Sequence, residues 1–364
     1  MLRRRAVVLG LFSALTCVGA SFAGDQAQPA QAPQPMVIKH QGIVHQHGPM
    51  CGDCCDAPAG GLQAGIGFYY IKPVWDSNPA IFTTSNAIPG FVRGRQDDFS
   101  YDFDFAPRVW IGFTDGDTGI RLRFWTYDDS ASLTRIDDDI ALSLSTAAPL
   151  GISLTSGGSA AAPQSLSTSG NLELEVWDLE GTYNHKVCGF DITYFGGLRY
   201  VHISQSYNAV LVNNNTGLVL QALSSGHNLN VAGLTGGLET RRALGCTGIS
   251  LYGSSRASLL YGHGKQTAVA FGGVVEGQQT GEGADASRED LLPILEAELG
   301  VEYNTCLGGS QVFIQAALVG QVWFGAGNNS RSSTPDVLGP VAGGTVSDDN
   351  LGFFGFTIAG GIRY

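Results

Sequence analysis

The segment Leu351-Gly-Phe-Phe-Gly-Phe-Thr-Ile-Ala-Gly-Gly-Ile-Arg-Tyr364 decides the fold. Counting back in twos from Tyr364 puts Ile362, Gly360, Ile358, Phe356 and Phe354 on one face. The other face carries Arg363, Gly361, Ala359, Thr357 and Gly355. Successive side chains of a β-strand point to opposite faces, so a period of two reads as a strand. Here one face suits lipid and the other is small or polar, the alternation of a transmembrane barrel strand.

The same alternation recurs upstream. Phe99, Tyr101, Phe103, Phe105, Val109, Ile111 and Phe113 share a face, with Asp102, Asp104 and Arg108 opposite. Ile120, Leu122 and Phe124 oppose Arg121 and Arg123; Tyr194, Leu198 and Tyr200 oppose Arg199; Leu251, Ala257 and Leu259 oppose Tyr252 and Arg256. Pro293, Leu295, Ala297, Leu299, Val301 and Tyr303 oppose Glu296, Glu298 and Glu302. The pattern predicts ten strands, at 62–75, 99–114, 119–128, 171–184, 189–205, 228–243, 247–264, 290–304, 310–325 and 350–364. Connections alternate between short turns and long polar loops, as an outer-membrane barrel with short periplasmic turns requires. An even strand count places both barrel ends in the periplasm. The long 129–170 stretch, with Ile140-Ala-Leu-Ser-Leu-Ser, has room for another hairpin and a count of twelve.

Composition agrees. Of 364 residues 51 are Gly, hydrophobic residues make up 43% and charged residues only 14%. That is too apolar for a disordered chain. A net charge of −12 repels phosphate backbones and argues against nucleic acid as a partner. After residue 23 no run of apolar residues is long enough for a spanning helix. Backbone polar groups in lipid must then be satisfied by closing a sheet into a barrel. Arg3, Arg4 and Arg5, an apolar run from Ala6 to Ala20, and Ser21-Phe22-Ala23 make 1–23 a signal peptide cut after Ala23. Residues 24–60, rich in Pro and Gln and containing His40, His45 and His47, read as an extended periplasmic leader, and 61–364 as the barrel.

Ten strands enclose a narrow interior, between the side-chain-filled eight-stranded barrels and the aqueous 16–18-stranded porins. The inward positions expected to line the lumen are Asp102, Asp104, Arg108, Arg121, Arg123, Asp178, Glu180, Arg199, Glu239, Arg256, Glu296 and Glu298. Further inward charges are Asp191, Glu302, Arg241 and Arg363. All the bases are Arg, which suits partly buried, bidentate pairing with carboxylates. Such a lumen is either locked by salt bridges or filters polar and cationic solutes. Asp178 and Glu180 inside would put Glu173 and Glu175 on the outer face, tolerable only above the membrane.

Seven segments together resemble a known family. They are Gly65-Ile-Gly-Phe-Tyr-Tyr-Ile-Lys-Pro, Arg121-Leu-Arg-Phe-Trp-Thr-Tyr, Leu174-Glu-Val-Trp-Asp-Leu-Glu, Phe195-Gly-Gly-Leu-Arg-Tyr, Tyr252-Gly-Ser-Ser-Arg-Ala-Ser-Leu-Leu-Tyr-Gly, Leu292-Pro-Ile-Leu-Glu-Ala-Glu-Leu-Gly and the C-terminal strand. In their order they are similar to the Legionella-type major outer membrane proteins, a family of pore-forming barrels. The resemblance implies a pore-forming role in the bacterial outer membrane and supplies no catalytic residues. The leader 24–60 is outside it.

Six cysteines follow the signal peptide. Cys188, Cys246 and Cys306 fall in predicted periplasmic turns, and Cys51, Cys54 and Cys55 lie just before the first strand. In an oxidising compartment they are disulfide candidates at one rim, with 15 possible pairings. His45 and His47 near Cys51 match no standard zinc spacing, so no metal and no cofactor is expected. An outer-rim hydrolase would need a His beside carboxylates. His202, His263, Asp97, Asp98 and Asp128 sit near that rim without specific spacing, so no catalytic residue is assigned. The expected function is passive passage of small polar solutes or ions, with a preference for cations. The alternative is a structural or adhesive barrel with a closed lumen. Expected partners are outer-membrane lipid and lipopolysaccharide, the barrel-assembly machinery acting on the strand that ends in Tyr364, and small solutes.

Overall fold

A computed structural model describes residues 60–88, 91–147, 152–275, 278–328 and 349–364. The signal peptide and leader assignments therefore lie outside the described residues. Thirteen strands are present among the described residues: β1 (Gly60–Trp75), β2 (Pro79–Ile88), β3 (Phe91–Asp98), β4 (Asp104–Asp115), β5 (Thr118–Asp137), β6 (Leu142–Thr146), β7 (Gln164–Val187), β8 (Phe190–Asn213), β9 (Val219–Ala243), β10 (Ile249–Val275), β11 (Gln278–Leu307), β12 (Ser310–Trp323) and β13 (Leu351–Arg363). Ten of them close into an antiparallel barrel in the order β1-β13-β12-β11-β10-β9-β8-β7-β5-β4, with β1 hydrogen-bonded to both β13 and β4.

The count is ten, not twelve. The 129–170 stretch does contain a strand, β6, but it leaves the wall and pairs with β2 in a separate three-stranded sheet, β3-β2-β6. Ala80, Ile81, Leu144, Ile152 and Leu154 bury their side chains in one apolar cluster with Tyr207 and Leu211 of β8. The Tyr207 hydroxyl donates to the Ala80 carbonyl at 2.7 Å and accepts from the Ala147 N–H at 3.1 Å. The sheet is thus a cap held on the loop end of the barrel.

Six strands run further toward that end than the sequence pattern predicts. β7 begins at Gln164, β9 at Val219 and β11 at Gln278, while β5 ends at Asp137, β8 at Asn213 and β10 at Val275. The cause is an inversion of faces. Near the turns, Leu179, Leu198, Leu234, Leu259 and Leu299 point outward and are exposed, as lipid contact demands. Beyond Trp177, Tyr200 and Tyr261 the outside turns polar (Ser165, Ser167, Ser169, Asn208, Asn228) and the inside apolar (Leu166, Leu172, Leu174, Leu223, Leu229). That upper wall follows the rule of a water-soluble sheet. Glu173 and Glu175 lie on its outer face, above the aromatic row.

The cap is tied to the wall by an ion pair. Asp97 on β3 is held by Arg135 of β5 at 3.0 Å and by Arg95 at 2.8 Å. Partial burial opposes the charge on Asp97, but the two guanidiniums outweigh it, and the carboxyl titrates below the usual aspartate range. A depressed pKa adds stability above the unfolded value near ~3.9, lost as pH falls through the folded value. The protection factors of the β3 amides, exchange rates taken relative to the intrinsic rate at each pH, are therefore expected to be unchanged from neutral pH down to about 4 and to fall below it. Asp97→Asn is expected to show the lower protection already at neutral pH and to lose the acid dependence.

Candidate functional site

The inward side chains form two stacked layers. The layer nearer the turns is ionic. Arg199 on β8 grips Asp178 of β7 with two bonds, Nε at 2.6 Å and Nη2 at 3.1 Å, and bonds Glu296 of β11 with Nη1. Arg123 of β5 adds contacts of 3.3 Å to Asp178 and 3.6 Å to Glu296. Arg256 of β10 bonds Glu180 and approaches Asp178 at 3.5 Å and Glu296 at 3.6 Å. Arg121 spans Glu180 and Glu239, each at 2.8 Å. Toward the turns, Glu302 takes Arg241 at 2.9 Å and Arg363 at 3.4 Å. On the β1 side, Arg108 donates to the Tyr69 hydroxyl at 3.0 Å and pairs with Glu298 at 3.1 Å, while that hydroxyl donates to Glu298.

Every carboxylate of this layer except Glu298, which Arg108 holds together with Tyr69, is shared by guanidiniums from different strands, so the layer cross-links the wall through its centre. Rings pack against the cations: Phe195 under Arg256 at 4.4 Å, Phe313 under Arg363 at 4.4 Å, and Tyr252 beside Arg241 at 5.2 Å. Gly65 is required here, because a side chain at that inward position would collide with the Trp110 ring that flanks Arg108.

The second layer is apolar. Tyr69, Trp125, Trp323 and Phe353 meet edge to face, with centroids 5.4 Å apart for Tyr69–Trp125 and 6.2 Å for both Trp125–Trp323 and Trp323–Phe353. Ile71, Val176, Val201, Val231, Leu260, Leu292, Ile294 and Val319 fill the remaining space. Trp125, Trp323 and Tyr69 have no exposed surface, so no water lies against them.

The open space lies at the turn end, a cavity of about 1070 Å³. Gly61, Gln63, Asn184, Cys246 and Cys306 border its mouth side, and Arg108, Arg121 and Arg123 bound it from within the barrel.

Ten of the twelve expected lumen residues come together in the ionic layer, and Arg241, Glu302 and Arg363 join them. Two do not. Asp102 is exposed in the segment before β4, and Asp104 is the first residue of that strand, at the loop end. The alternation breaks between Tyr101, which is buried, and Phe103, which is exposed, so residues 99–103 do not continue β4 inward. Asp191 is also exposed, paired with Lys186. Seven guanidiniums (Arg108, Arg121, Arg123, Arg199, Arg241, Arg256, Arg363) then face six carboxylates (Asp178, Glu180, Glu239, Glu296, Glu298, Glu302). The aromatic layer was missed, although it extends the same faces. Trp125 follows Arg121 and Arg123 by twos, and Phe353 follows Thr357 and Gly355.

His202 Nδ1 lies 2.8 Å from Asn230 Oδ1 on the outer face, and His263 stands opposite Asn230 and Glu289 in register. Among the described residues no group of three or more His, Cys, Asp or Glu is arranged to hold a metal. Cys246 and Cys306 are disulfide-bonded. Cys188 is not: it is a free, exposed thiol in the β7–β8 turn. Cys51, Cys54 and Cys55 lie outside the described residues.

No curated protein matches the chain. Among solved structures it is similar to the outer membrane protease OmpT from Escherichia coli, at 10% identity and a TM-score of 0.39, over 84% of this chain and 96% of that one. It is also similar to the P. putida toluene transporter TodX, at 8% identity and a TM-score of 0.22, over 83% of this chain and 89% of that one. These likenesses bear on no mechanism. A family model, described as Legionella pneumophila major outer membrane protein precursor, matches residues 57–363. A closed antiparallel barrel, an apolar outer belt and a match over nearly all of that barrel lead to one conclusion: the chain belongs to the Legionella major outer membrane protein family and is a bacterial outer-membrane β-barrel.

Proposed function

We propose that this barrel is shut at rest and serves the outer membrane as a rigid, capped wall element rather than as an open diffusion channel. One observation carries this: the Tyr69–Trp125–Trp323–Phe353 layer crosses the lumen with no solvent-exposed surface on its central rings. An ion driven through it would lose its hydration with no polar group in return, which is prohibitively costly. The cap adds a second barrier. Outside, Glu175, His202, Asn230, His263 and Glu289 lie just beyond the aromatic row, where lipopolysaccharide headgroups would be met.

A second reading, solute passage after rearrangement of the two layers, is favoured by the cavity that already reaches Arg121 and Arg123 from the turn end. A cation preference does not fit it, because the ionic layer holds one guanidinium in excess.

Planar-bilayer recording separates the two. Protein shown to be folded by its heat-shifted gel mobility is expected to insert and stay silent. Steady discrete openings would overturn the shut state, and a salt gradient would then be expected to give anion selectivity.

A further inference from the structure

We propose that the turn-end cavity binds a small organic oxyanion from the periplasm, a carboxylate or a phosphate ester, with Arg363 and Arg241 as its anchors. The charge balance locates the site. The ionic layer holds seven guanidiniums against six carboxylates, so one positive charge is left over. Among the described residues that charge falls to Arg363. Its carboxylate contact is Glu302 at 3.4 Å, and Glu302 already takes Arg241 at 2.9 Å. The other acceptors of Arg363 are neutral, Asn304 Oδ1 at 3.3 Å and Gln311 Oε1 at 3.1 Å. Every other guanidinium of the layer has a carboxylate at 3.3 Å or closer. Arg363 and Arg241 are also its most open members. Their side chains are 22% and 18% exposed, against 10% or less for the other five.

The cavity wall concentrates that charge. Arg108, Arg121, Arg123, Arg241 and Arg363 all border it, but of the layer's carboxylates only Glu239 and Glu302 do. The charges at the mouth, Lys186, Asp117 and Asp191, are exposed and screened by water. A cleft lined by one sign of charge, with low-dielectric walls, focuses its field and gathers counter-ions. Arginine adds the planar fork that matches a carboxylate or a phosphate. Rings supply the apolar part. Phe313 lies under Arg363 at 4.4 Å, and the Trp110 ring is 6.2 Å from Phe313. Both border the cavity, as does Tyr252 beside Arg241. A volume of about 1070 Å³ is more than an inorganic ion fills. It is comparable to the roughly 300–1,000 Å³ of clefts that hold organic ligands. The charged end of such a ligand meets Arg363 and Arg241, and its body lies on the rings. The site exists whether or not the aromatic layer beyond it ever opens.

Iodide, an anion that quenches indole fluorescence, probes the site in the full-length protein folded in detergent micelles, where both barrel ends are accessible. Trp110 is the one tryptophan on the cavity wall, and its signal is the difference between wild type and Trp110→Phe. Relative to free tryptophan, iodide is expected to quench Trp110 several-fold more strongly than neutral acrylamide does. Arg363→Gln leaves Glu302 with Arg241. It is expected to lower iodide quenching several-fold and to leave acrylamide quenching unchanged, while Arg363→Lys keeps most of the iodide effect. Replacing chloride by acetate or by inorganic phosphate at fixed ionic strength is expected to relieve iodide quenching in wild type but not in R363Q. The more effective of the two identifies the ligand's charged group as carboxylate or phosphate. Gel mobility shows whether each variant has folded. If R363Q does not fold, the wild-type ratio of iodide to acrylamide quenching decides alone, and a ratio near one would overturn the site. Equal iodide quenching in wild type and folded R363Q, or no relief by either oxyanion, would overturn it as well.

Discussion

Replacing Arg199 with alanine is expected to cost the folded barrel about 3–5 kcal/mol, the usual consequence of removing one partner from a buried ionic cluster. Among the described residues Arg199 alone holds Asp178 with two hydrogen bonds, and it holds Glu296 as well. Arg123 and Arg256 reach the same two carboxylates at 3.3–3.6 Å, without such geometry. They cannot restore the lost bonds, and the two acids face each other in an interior with little water. The loss is largely the desolvation of abandoned charge, not the worth of an intact pair. Arg199→Met with Glu296→Gln should therefore recover part of the loss, because it removes an orphaned charge along with its partner. Urea midpoints of the barrel folded into lipid vesicles, read by gel mobility, would measure both. Equal stability of R199A and wild type would mean that Arg123 and Arg256 carry the cluster.

How much of this architecture is visible in the sequence depends on which solvent each face meets. Where lipid lies outside, a run such as Leu292-Pro-Ile-Leu-Glu-Ala-Glu-Leu alternates cleanly, and the barrel strands are found. Above the membrane the wall has water outside and a packed interior, so β9 from Val219 to Asn228 reads as an ordinary polar loop although it is strand. Asp102 misled because alternation was carried through Phe103, across a break in the chain path that leaves no mark on the pattern. The ionic layer was legible because charges on the inner face of a membrane strand have nowhere else to go. Whether such a lumen is open was not, because closure depends on rings from β1, β5, β12 and β13 meeting across the centre, and strand order alone places them there.

Those rings set the second large effect. Trp323→Ala is expected to cost about 3–5 kcal/mol, as deletion of a fully buried indole does elsewhere. The cavity left behind would be lined mostly by Trp125, Phe353 and aliphatic neighbours, with the Gln321 Oε1 acceptor at its edge, and so largely apolar a cavity stays dry. The variant should therefore be markedly less stable yet remain electrically silent in a bilayer. A conducting W323A would show that these rings alone hold the lumen shut and that the cap seals nothing. The two tryptophans should also differ on conservative replacement. The Trp323 indole N–H donates to Gln321 Oε1 at 3.1 Å, whereas the buried Trp125 N–H has no partner among the described residues. Trp323→Phe leaves an acceptor without its donor, and Trp125→Phe removes a donor that was never satisfied. Leaving a buried polar group unmade costs about 1–3 kcal/mol, so W323F should unfold at clearly lower urea than W125F. The order would reverse only if the volume lost at Trp125 outweighs the polar group that Trp323→Phe leaves unsatisfied.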